Sequence, residues 1–405
     1  MPTSADDLPV SSLLYHHRTQ GKAVEGVHIR GLVDGLRELG VAVDILSLPG
    51  ADPYASPKAM SPTVQATRLM RSVSRFPEPV FELAELAYNV IAGLRLAMHL
   101  RRRPAQMIYE RYSLFLFVAV FIARMFRVPL ILEINDAAFV ERVRPLYFRR
   151  LAQGIEGWVF RNCTGLVFVS GAFRSRAQAV HGRIAPAIVA PNAADPRKFS
   201  VTPGQREQVR KRLGLEGSVV CGYLGAFVPW HRINVFIETI AARLQERPDL
   251  KFLLVGDGAT FPKVRDFVDS HGLGQRIVLT GRVGHDEVPG LLAAMDMAIL
   301  PSAGDYTSPV KLFEFMACGI PAVAPDFEPI REVLVEGETG WMFPAGDMSA
   351  AVETTLQRAT DIGELHRVGA QARAYVVNER QWRNNARQLL DFRAELSEPR
   401  SAARA

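Results

Sequence analysis

The chain of 405 residues has only three cysteines, Cys163, Cys221 and Cys318, and none lies at a spacing typical of metal or redox sites. Their isolation argues against a disulfide framework and favours a reducing, cytoplasmic environment. No cluster of carboxylates and histidines has the spacing of metal ligands either, so we expect a protein that works without a bound metal.

Long hydrophobic runs are also missing. The most apolar stretch, residues 114–123, is followed directly by Arg124, whereas a membrane-spanning helix needs about twenty apolar residues. We therefore expect a buried helix there. The chain opens with Asp6 and Asp7 rather than with basic residues before an apolar run, so no signal peptide is predicted.

The charges are unevenly placed along the chain. The formal net charge is +6, and residues 1–150 contain 19 Lys and Arg against 14 Asp and Glu. A basic first domain suits an anionic partner such as phosphate or a membrane surface, with an ordinary solvated surface as the alternative. We expect peripheral contact with the inner membrane face, through arginines beside apolar helical stretches: Arg68, Arg71, Arg75 and Arg101-Arg102-Arg103. Nothing resembles a nucleic-acid-binding module, so no nucleic-acid partner is expected.

The sequence does contain short apolar strands that alternate with amphipathic helices, a pattern typical of helix-covered parallel sheets. The pattern is interrupted by the turn-rich residues 190–195 and starts again at Val219. We predict the α/β class with two Rossmann-like domains facing one another across a cleft. Residues 1–198 form the first, residues 199–379 the second, and a helix at about 380–398 packs back on the first. Strands are predicted at 12–15, 41–46, 107–109, 130–133, 165–169, 219–224, 252–255, 277–279, 297–300 and 321–324.

The strongest local motif is the helix start at residues 307–314, TSPVKLFE. Two residue types that cap helices precede Pro309, which suits a first turn. The free amides and the helix dipole then form a site for a diphosphate, to which Lys311 adds a full charge. Glu314 lies on nearly the same face, where its carboxylate could accept both hydroxyls of a ribose. The alternative is a surface ion pair between Lys311 and Glu314.

Two glycine turns follow predicted strands in the second half. Gly225 follows the strand at 219–224 and Gly256 the strand at 252–255. Ligands of such sheets bind at the carboxyl ends of the strands, and glycine lets the backbone approach them closely. Each turn alone is a weak indication, because such turns are also common structural features.

Together these residues resemble the donor domain of retaining glycosyltransferases of the two-Rossmann type, family 4. The resemblance covers Gly222 to Pro344, with further matches at Glu25-Gly26-Val27-His28 and Trp382. It implies transfer of a sugar, with retained configuration, from a UDP- or GDP-linked nucleotide-sugar to an acceptor hydroxyl. The implied acceptor is a glycan or a lipid-linked molecule in cell-surface polysaccharide or glycolipid synthesis, and no cofactor is needed.

The motif and the resemblance assign site residues in three groups. The donor-binding group is Gly225, Arg232, Gly256, Arg282, Val283, Tyr306, Ser308, Pro309, Val310, Leu312 and Glu314. The catalytic group is Asn135, Asp136, His231 and Lys311. The acceptor-side loop contains Gly21, Gly26 and His28. We expect Lys311, Arg232 and His231 to stabilise the charge on the leaving diphosphate, whose phosphate takes the acceptor proton.

The sequence departs from the family pattern at several of these positions. Tyr306, next to Asp305, replaces the first of two glutamates and is expected to set donor-sugar choice. Ala226 replaces a phosphate-binding arginine, and His231 replaces a lysine. Arg232 replaces a common glycine, and Asn135 replaces the histidine of a His-Asp pair.

Those departures leave other functions open. One is a nucleotide-sugar-binding protein without transferase activity, and another is a nucleotide-sugar epimerase or a phosphorylase on the same fold. A dehydrogenase is disfavoured because neither domain has the three-glycine dinucleotide fingerprint after its first strand.

Overall fold

The computed structural model describes residues 10–19, 24–54, 77–140, 145–199, 202–284 and 287–398. The chain forms two compact units, one of Met1–Pro191 with Trp382–Ala405 and the other of Asn192–Gln381. The first boundary therefore falls after Pro191 rather than after the predicted residue 198, and the last helix belongs to the first unit.

The described residues form two six-stranded sheets in which all neighbouring strands are parallel. In the first unit the order is β2-β1-β3-β4-β5-β6, and in the second it is β12-β11-β10-β7-β8-β9. The strands of the first sheet are β1 (Ser12–His16), β2 (Ala42–Leu46), β3 (Met107–Arg111), β4 (Leu130–Ile134), β5 (Gly165–Phe168) and β6 (Ala187–Val189). Those of the second are β7 (Val219–Leu224), β8 (Leu250–Val255), β9 (Ile277–Gly281), β10 (Met297–Ile299), β11 (Ala322–Pro325) and β12 (Gly340–Phe343).

The α/β prediction with two parallel sheets is confirmed, and all ten predicted strands are present. Strands β6 and β12 were not predicted, because they have only three and four residues and lack a periodic pattern. In the first unit the helices are α1 (Val24–Glu38), α2 (Glu78–Arg102), α3 (Val118–Phe126), α4 (Arg149–Asn162) and α5 (Gly171–His181). The second contains α6 (Gln205–Arg212), α7 (Ile233–Ala241), α8 (Phe261–Ser270), α9 (Val288–Ala293), α10 (Val310–Ala317), α11 (Glu328–Arg331), α12 (Met348–Arg358) and α13 (Ile362–Glu379).

The last helix, α14 (Trp382–Glu395), packs against α1 through two glycines. A Cβ at Gly31 would lie 2.5 Å from the Trp382 indole, and one at Gly35 would lie 2.7 Å from the Trp382 carbonyl oxygen. The small residues Gly31 and Gly35 thus allow the last helix, α14, to pack closely against α1.

The apolar stretch at residues 114–123 is only partly the buried helix that we expected. Leu114 and Phe115 are buried ahead of the helix, and α3 begins at Val118. Phe121 is 51% exposed, so burial of the whole stretch was the wrong expectation. None of the described helices combines the length and the apolar character required to span a membrane.

Candidate functional site

Two glycine turns meet at the carboxyl ends of β7 and β8. Gly225 and Gly256 have φ angles of 144° and 134°, and the Gly225 amide donates to the Val255 carbonyl at 3.0 Å. A Cβ at Gly256 would lie 2.0 Å from the Gly225 carbonyl oxygen, and one at Gly225 would lie 2.9 Å from Lys311 Nζ. Glycine is therefore required for the turns to pack together with Lys311 above them.

Lys311 lies beside His231 and Tyr223. Its Nζ is 3.5 Å from His231 Nδ1 and 5.0 Å from the centre of the Tyr223 ring, within the range of a cation–π contact. His231 Nδ1 is 2.8 Å from the Ala226 carbonyl oxygen, to which the Tyr223 hydroxyl also donates at 2.8 Å. Since a carbonyl oxygen only accepts, we assign the imidazole proton to Nδ1, which leaves Nε2 as an acceptor.

His231 does not supply the positive charge that we expected of it. Burial, and then the charge of Lys311, lower the pKa of His231 to about 4. The imidazole is therefore neutral near pH 7. Positive charge at these turns comes from Lys311 instead.

Lys311 and Glu314 both lie on α10 and keep some solvent exposure. Burial lowers the pKa of Lys311 to about 8 although Glu314 opposes the shift, and burial raises the pKa of Glu314 to about 7 although Lys311 opposes it. Among the described residues, no ion pair joins Lys311 to Glu314. The surface ion pair considered above is therefore absent, and both groups can respond to a ligand.

The start of α10 carries no cap from a side chain of the described residues. Its N-cap residue is Pro309, so the expectation that Thr307 or Ser308 caps the helix was wrong. The Thr307 hydroxyl donates to the Gly304 carbonyl at 3.2 Å, while the Ser308 hydroxyl accepts from the Asn192 amide at 2.9 Å. The first amides of α10 consequently remain available to an anion.

The other predicted donor residues divide between accessible and buried positions. Val310 is the first residue of α10, Arg282 is exposed next to Val283, and Tyr306 is partly exposed. Leu312 is fully buried in the core, and its amide donates to Pro309 at 3.1 Å. Its side chain therefore packs in the core, and its assignment as a donor contact stays a prediction.

Arg232 adopts the left-handed conformation, with φ 53°, between a short 3-10 turn (Pro229–His231) and α7. Holding a residue other than glycine in this conformation costs roughly 1–2 kcal/mol of free energy. This cost explains why glycine is usual at this position in the family. The Arg232 guanidinium donates to the Gly346 carbonyl at 3.2 Å, which ties this side chain to the loop before α12.

The first unit contains a buried charged network that the sequence analysis missed. Glu133, at the end of β4, accepts from the Tyr15 hydroxyl at 2.8 Å and from Asn135, and lies 2.5 Å from Arg111 and 3.1 Å from His28. Burial alone would raise the pKa of Glu133, but the charges of His28 and Arg111 and these hydrogen bonds hold it below its usual value. A glutamate at the end of each apolar strand, in MIYER and LILEI, was the signal available in the sequence.

A second buried pair lies one strand away. His16 Nδ1 contacts Glu110, and both residues are about 1% exposed. His17 is also buried, and its Nε2 has no hydrogen-bond partner among the described residues. Burial, followed by the charge of His16, lowers the pKa of His17 to about 4.

The predicted acceptor-side residues lie elsewhere than expected. Gly26 and His28 are buried residues of α1 rather than parts of a loop, because the helix already begins at Val24. The His28 ring packs on Trp382 at 4.8 Å. Gly21 lies outside the described residues, as do Arg68, Arg71 and Arg75. Asp136 follows β4, and its carboxylate accepts from the Ala137 amide at 2.9 Å.

Family models match both units of the chain. The model described as Glycosyl transferases group 1 matches residues 218–361, which include the glycine turns and α10. A second model, described as Glycosyl transferase 4-like domain, matches residues 25–193.

Comparison with single proteins agrees with these matches. The chain is 26% identical over 251 residues to an alpha-D-kanosaminyltransferase from Streptomyces kanamyceticus, with 59% of this chain and 64% of the relative covered. It is 25% identical to a GDP-mannose-dependent alpha-(1-6)-phosphatidylinositol monomannoside mannosyltransferase from Mycolicibacterium smegmatis, with 58% and 64% covered. The chain thus spans less than two thirds of the length of these relatives.

Among solved structures, Anabaena Alr3699/HepE in complex with UDP has a TM-score of 0.70 and 16% identity. The alignment covers 95% of this chain and 100% of that one. At this identity the likeness shows that the two chains share a fold.

Proposed function

We propose that this chain, which belongs to the group 1 glycosyl transferases, transfers a sugar from a nucleotide-sugar to an acceptor hydroxyl with retained configuration. One observation carries the proposal. The uncapped start of α10 and Lys311 lie over the two glycine turns, where a diphosphate would find backbone amides and a positive charge.

The donor is a UDP- or GDP-linked sugar, bound as a substrate and without a cofactor or metal. UDP is bound in the related Anabaena structure, and GDP-mannose stands in the name of the mycobacterial relative. Glu314 accepts the ribose hydroxyls, and Arg232 adds positive charge beside Lys311. His231, neutral and with Nε2 free to accept, receives a hydrogen bond from a sugar hydroxyl.

Catalysis depends on stabilising the leaving diphosphate. As the bond from the anomeric carbon to the leaving oxygen breaks, charge builds on the diphosphate, and Lys311 and the α10 amides hold it. The leaving phosphate accepts the proton of the attacking acceptor hydroxyl, so no strong protein base is needed. Asn135 and Asp136 orient the acceptor.

The acceptor is a glycan or lipid-linked molecule at the inner membrane face, in polysaccharide or glycolipid synthesis. The basic first domain and the phosphatidylinositol-linked acceptor named for the mycobacterial relative support this choice.

A thermal-shift screen of UDP- and GDP-sugars tests the donor assignment, because a ligand that binds the folded state raises the melting temperature by mass action. The best donor is then incubated with the protein, and release of nucleoside diphosphate is measured with and without acceptors. A stabilising donor without turnover would favour the nucleotide-sugar-binding alternative. The absence of any stabilising donor would reject the proposal.

Donor affinity should weaken as the pH rises through about 8. The diphosphate binds protonated Lys311, whose pKa is lowered to about 8. Above that pH, Lys311 is neutral in most molecules of the free protein. Isothermal titration with a nucleotide-sugar between pH 7 and 9 measures the effect. Lys311→Arg is the matched control, because arginine stays protonated over this range. Equal pH dependence in both proteins would contradict the assignment.

Replacing Tyr306 by glutamate should change the ranking of donor sugars. Tyr306 precedes Glu314 at the spacing of the family's glutamate pair, and the first glutamate of that pair contacts sugar hydroxyls. Comparing kcat/KM for several donors checks this, with Tyr306→Phe as the control. If the ranking of donors is unchanged in Tyr306→Glu, Tyr306 does not determine which donor sugar is used.

A further inference from the structure

Helix α2 is apolar on two opposite faces. Ala92, Leu96 and Leu100 are buried in the first unit. The other face bears side chains between 46% and 67% exposed: Val80, Leu83, Val90, Ile91, Leu94 and Met98. Their spacing of three, four and seven residues keeps them in one stripe along the helix. A contiguous apolar stripe on a protein surface marks an interaction site.

Helix α3 extends the stripe and is fixed to α2. Phe121 and Met125 of α3 are 51% and 60% exposed. The buried Asn89 of α2 accepts from the amides of Phe117 and Val118 at 2.9 and 3.0 Å, and so caps the start of α3. The exposed faces of α2 and α3 therefore form one surface, here called the α2–α3 surface.

From residue 86 onward this surface is mainly positively charged, whereas the first turns of α2 contain Glu78, Glu82 and Glu85. Residues 86–103 and 118–127 contain no aspartate or glutamate. Its exposed arginines are Arg101, Arg102, Arg103, Arg124 and Arg127. Arg103 shares Asp44 with His99, at 3.2 Å from each, and Arg124 donates to Asn162, so neither arginine is fully neutralised by a carboxylate of its own. The part of the stripe from Val90 onward, together with Phe121 and Met125, is bordered mainly by arginine, which suits an anionic partner.

We propose that the α2–α3 surface binds the headgroup region of an anionic lipid bilayer. The apolar side chains enter the boundary between headgroups and acyl chains, and the arginines contact lipid phosphates. A second copy of the chain fits less well, because a self-complementary interface would bring the same arginines together. The inference specifies the membrane contact of the proposed function, but the surface binds lipid whether or not sugar is transferred.

Vesicle co-sedimentation of the full chain tests this surface. We expect binding to phosphatidylglycerol–phosphatidylcholine vesicles at low salt, and little binding to phosphatidylcholine alone or at high salt, where charge is screened. Val90→Glu with Leu94→Glu should abolish sedimentation. Arg101→Ser with Arg102→Ser should weaken it by about fivefold for each arginine, since one basic residue near an anionic surface contributes about 1 kcal/mol.

The matched control is Val180→Glu with Val377→Glu, which also adds two negative charges at exposed valines, but on α5 and α13. This protein should bind vesicles like wild type. The inference would be overturned if the two double-glutamate variants lost vesicle binding equally. It would also be overturned if the wild-type protein did not bind anionic vesicles at low salt. A dimer in solution that Val90→Glu with Leu94→Glu converts to monomers would also overturn it. Transfer to a soluble acceptor, assayed in parallel, shows whether the proposed function fails separately.

Discussion

Lys311→Ala should lower the kcat of sugar transfer by about 10²- to 10³-fold, the loss typical when one group that stabilises a transition-state charge is removed. Lys311 lies in the first turn of α10, and its ammonium group lies over the Gly225 turn. It meets the diphosphate where negative charge increases as the sugar leaves. Steady-state kinetics with the best donor of the thermal-shift screen measures the effect.

One control variant and one further variant of the proposed site make this result specific. Lys263→Ala removes an exposed lysine of α8 in the same unit, which pairs with Glu238 at the surface, and should leave kcat unchanged. Glu314→Ala should weaken nucleotide binding by about 1–3 kcal/mol, as for a lost hydrogen bond to a charged group. Wild-type affinity and turnover in both Lys311→Ala and Glu314→Ala would mean that the donor binds elsewhere.

Glu133→Ala should destabilise the first unit by about 3–5 kcal/mol, because it leaves the Arg111 charge buried without its partner. Arg111 lies 2.5 Å from Glu133, whose side chain is 2% exposed. For a unit of this size, each kcal/mol corresponds to a fall of about 2–4 °C in melting temperature. Calorimetry of the purified variant measures the shift.

Glu246→Ala provides the contrast, since Glu246 pairs with Arg243 at the surface, where solvent screens the interaction, so the melting temperature should hardly change. Glu133→Gln keeps the size and an acceptor oxygen but removes the charge, so its loss should be intermediate. Because the folded-state pKa of Glu133 is lowered, its contribution is present above the unfolded pKa and is lost as the pH falls through the folded pKa. A melting temperature of Glu133→Ala equal to that of Glu246→Ala would contradict the role of the network.

Local pattern was sufficient for ten of the twelve described strands and for α10. Ten strands follow from apolar runs bounded by turn residues, and TSPVKLFE predicts a helix start from residues close in sequence. The error at this helix was the cap: Asn192, more than a hundred residues earlier, engages Ser308 and leaves Pro309 as the N-cap.

By itself, the sequence determined the α/β class, the restart of the strand–helix pattern and the placement of Lys311 and Glu314 on one helix, because all three depend on neighbours along the chain. Only the tertiary structure decided the protonation state of His231, which follows from contacts with Ala226 and Lys311. It also decided that Glu133 meets Tyr15 and Arg111, because parallel pairing joins strand ends that are far apart in sequence, and that His28 of α1 reaches the same carboxylate. The tertiary structure also decided which face of α2 is buried. Both faces are apolar in the sequence, and packing buries one of them and leaves the other in solvent.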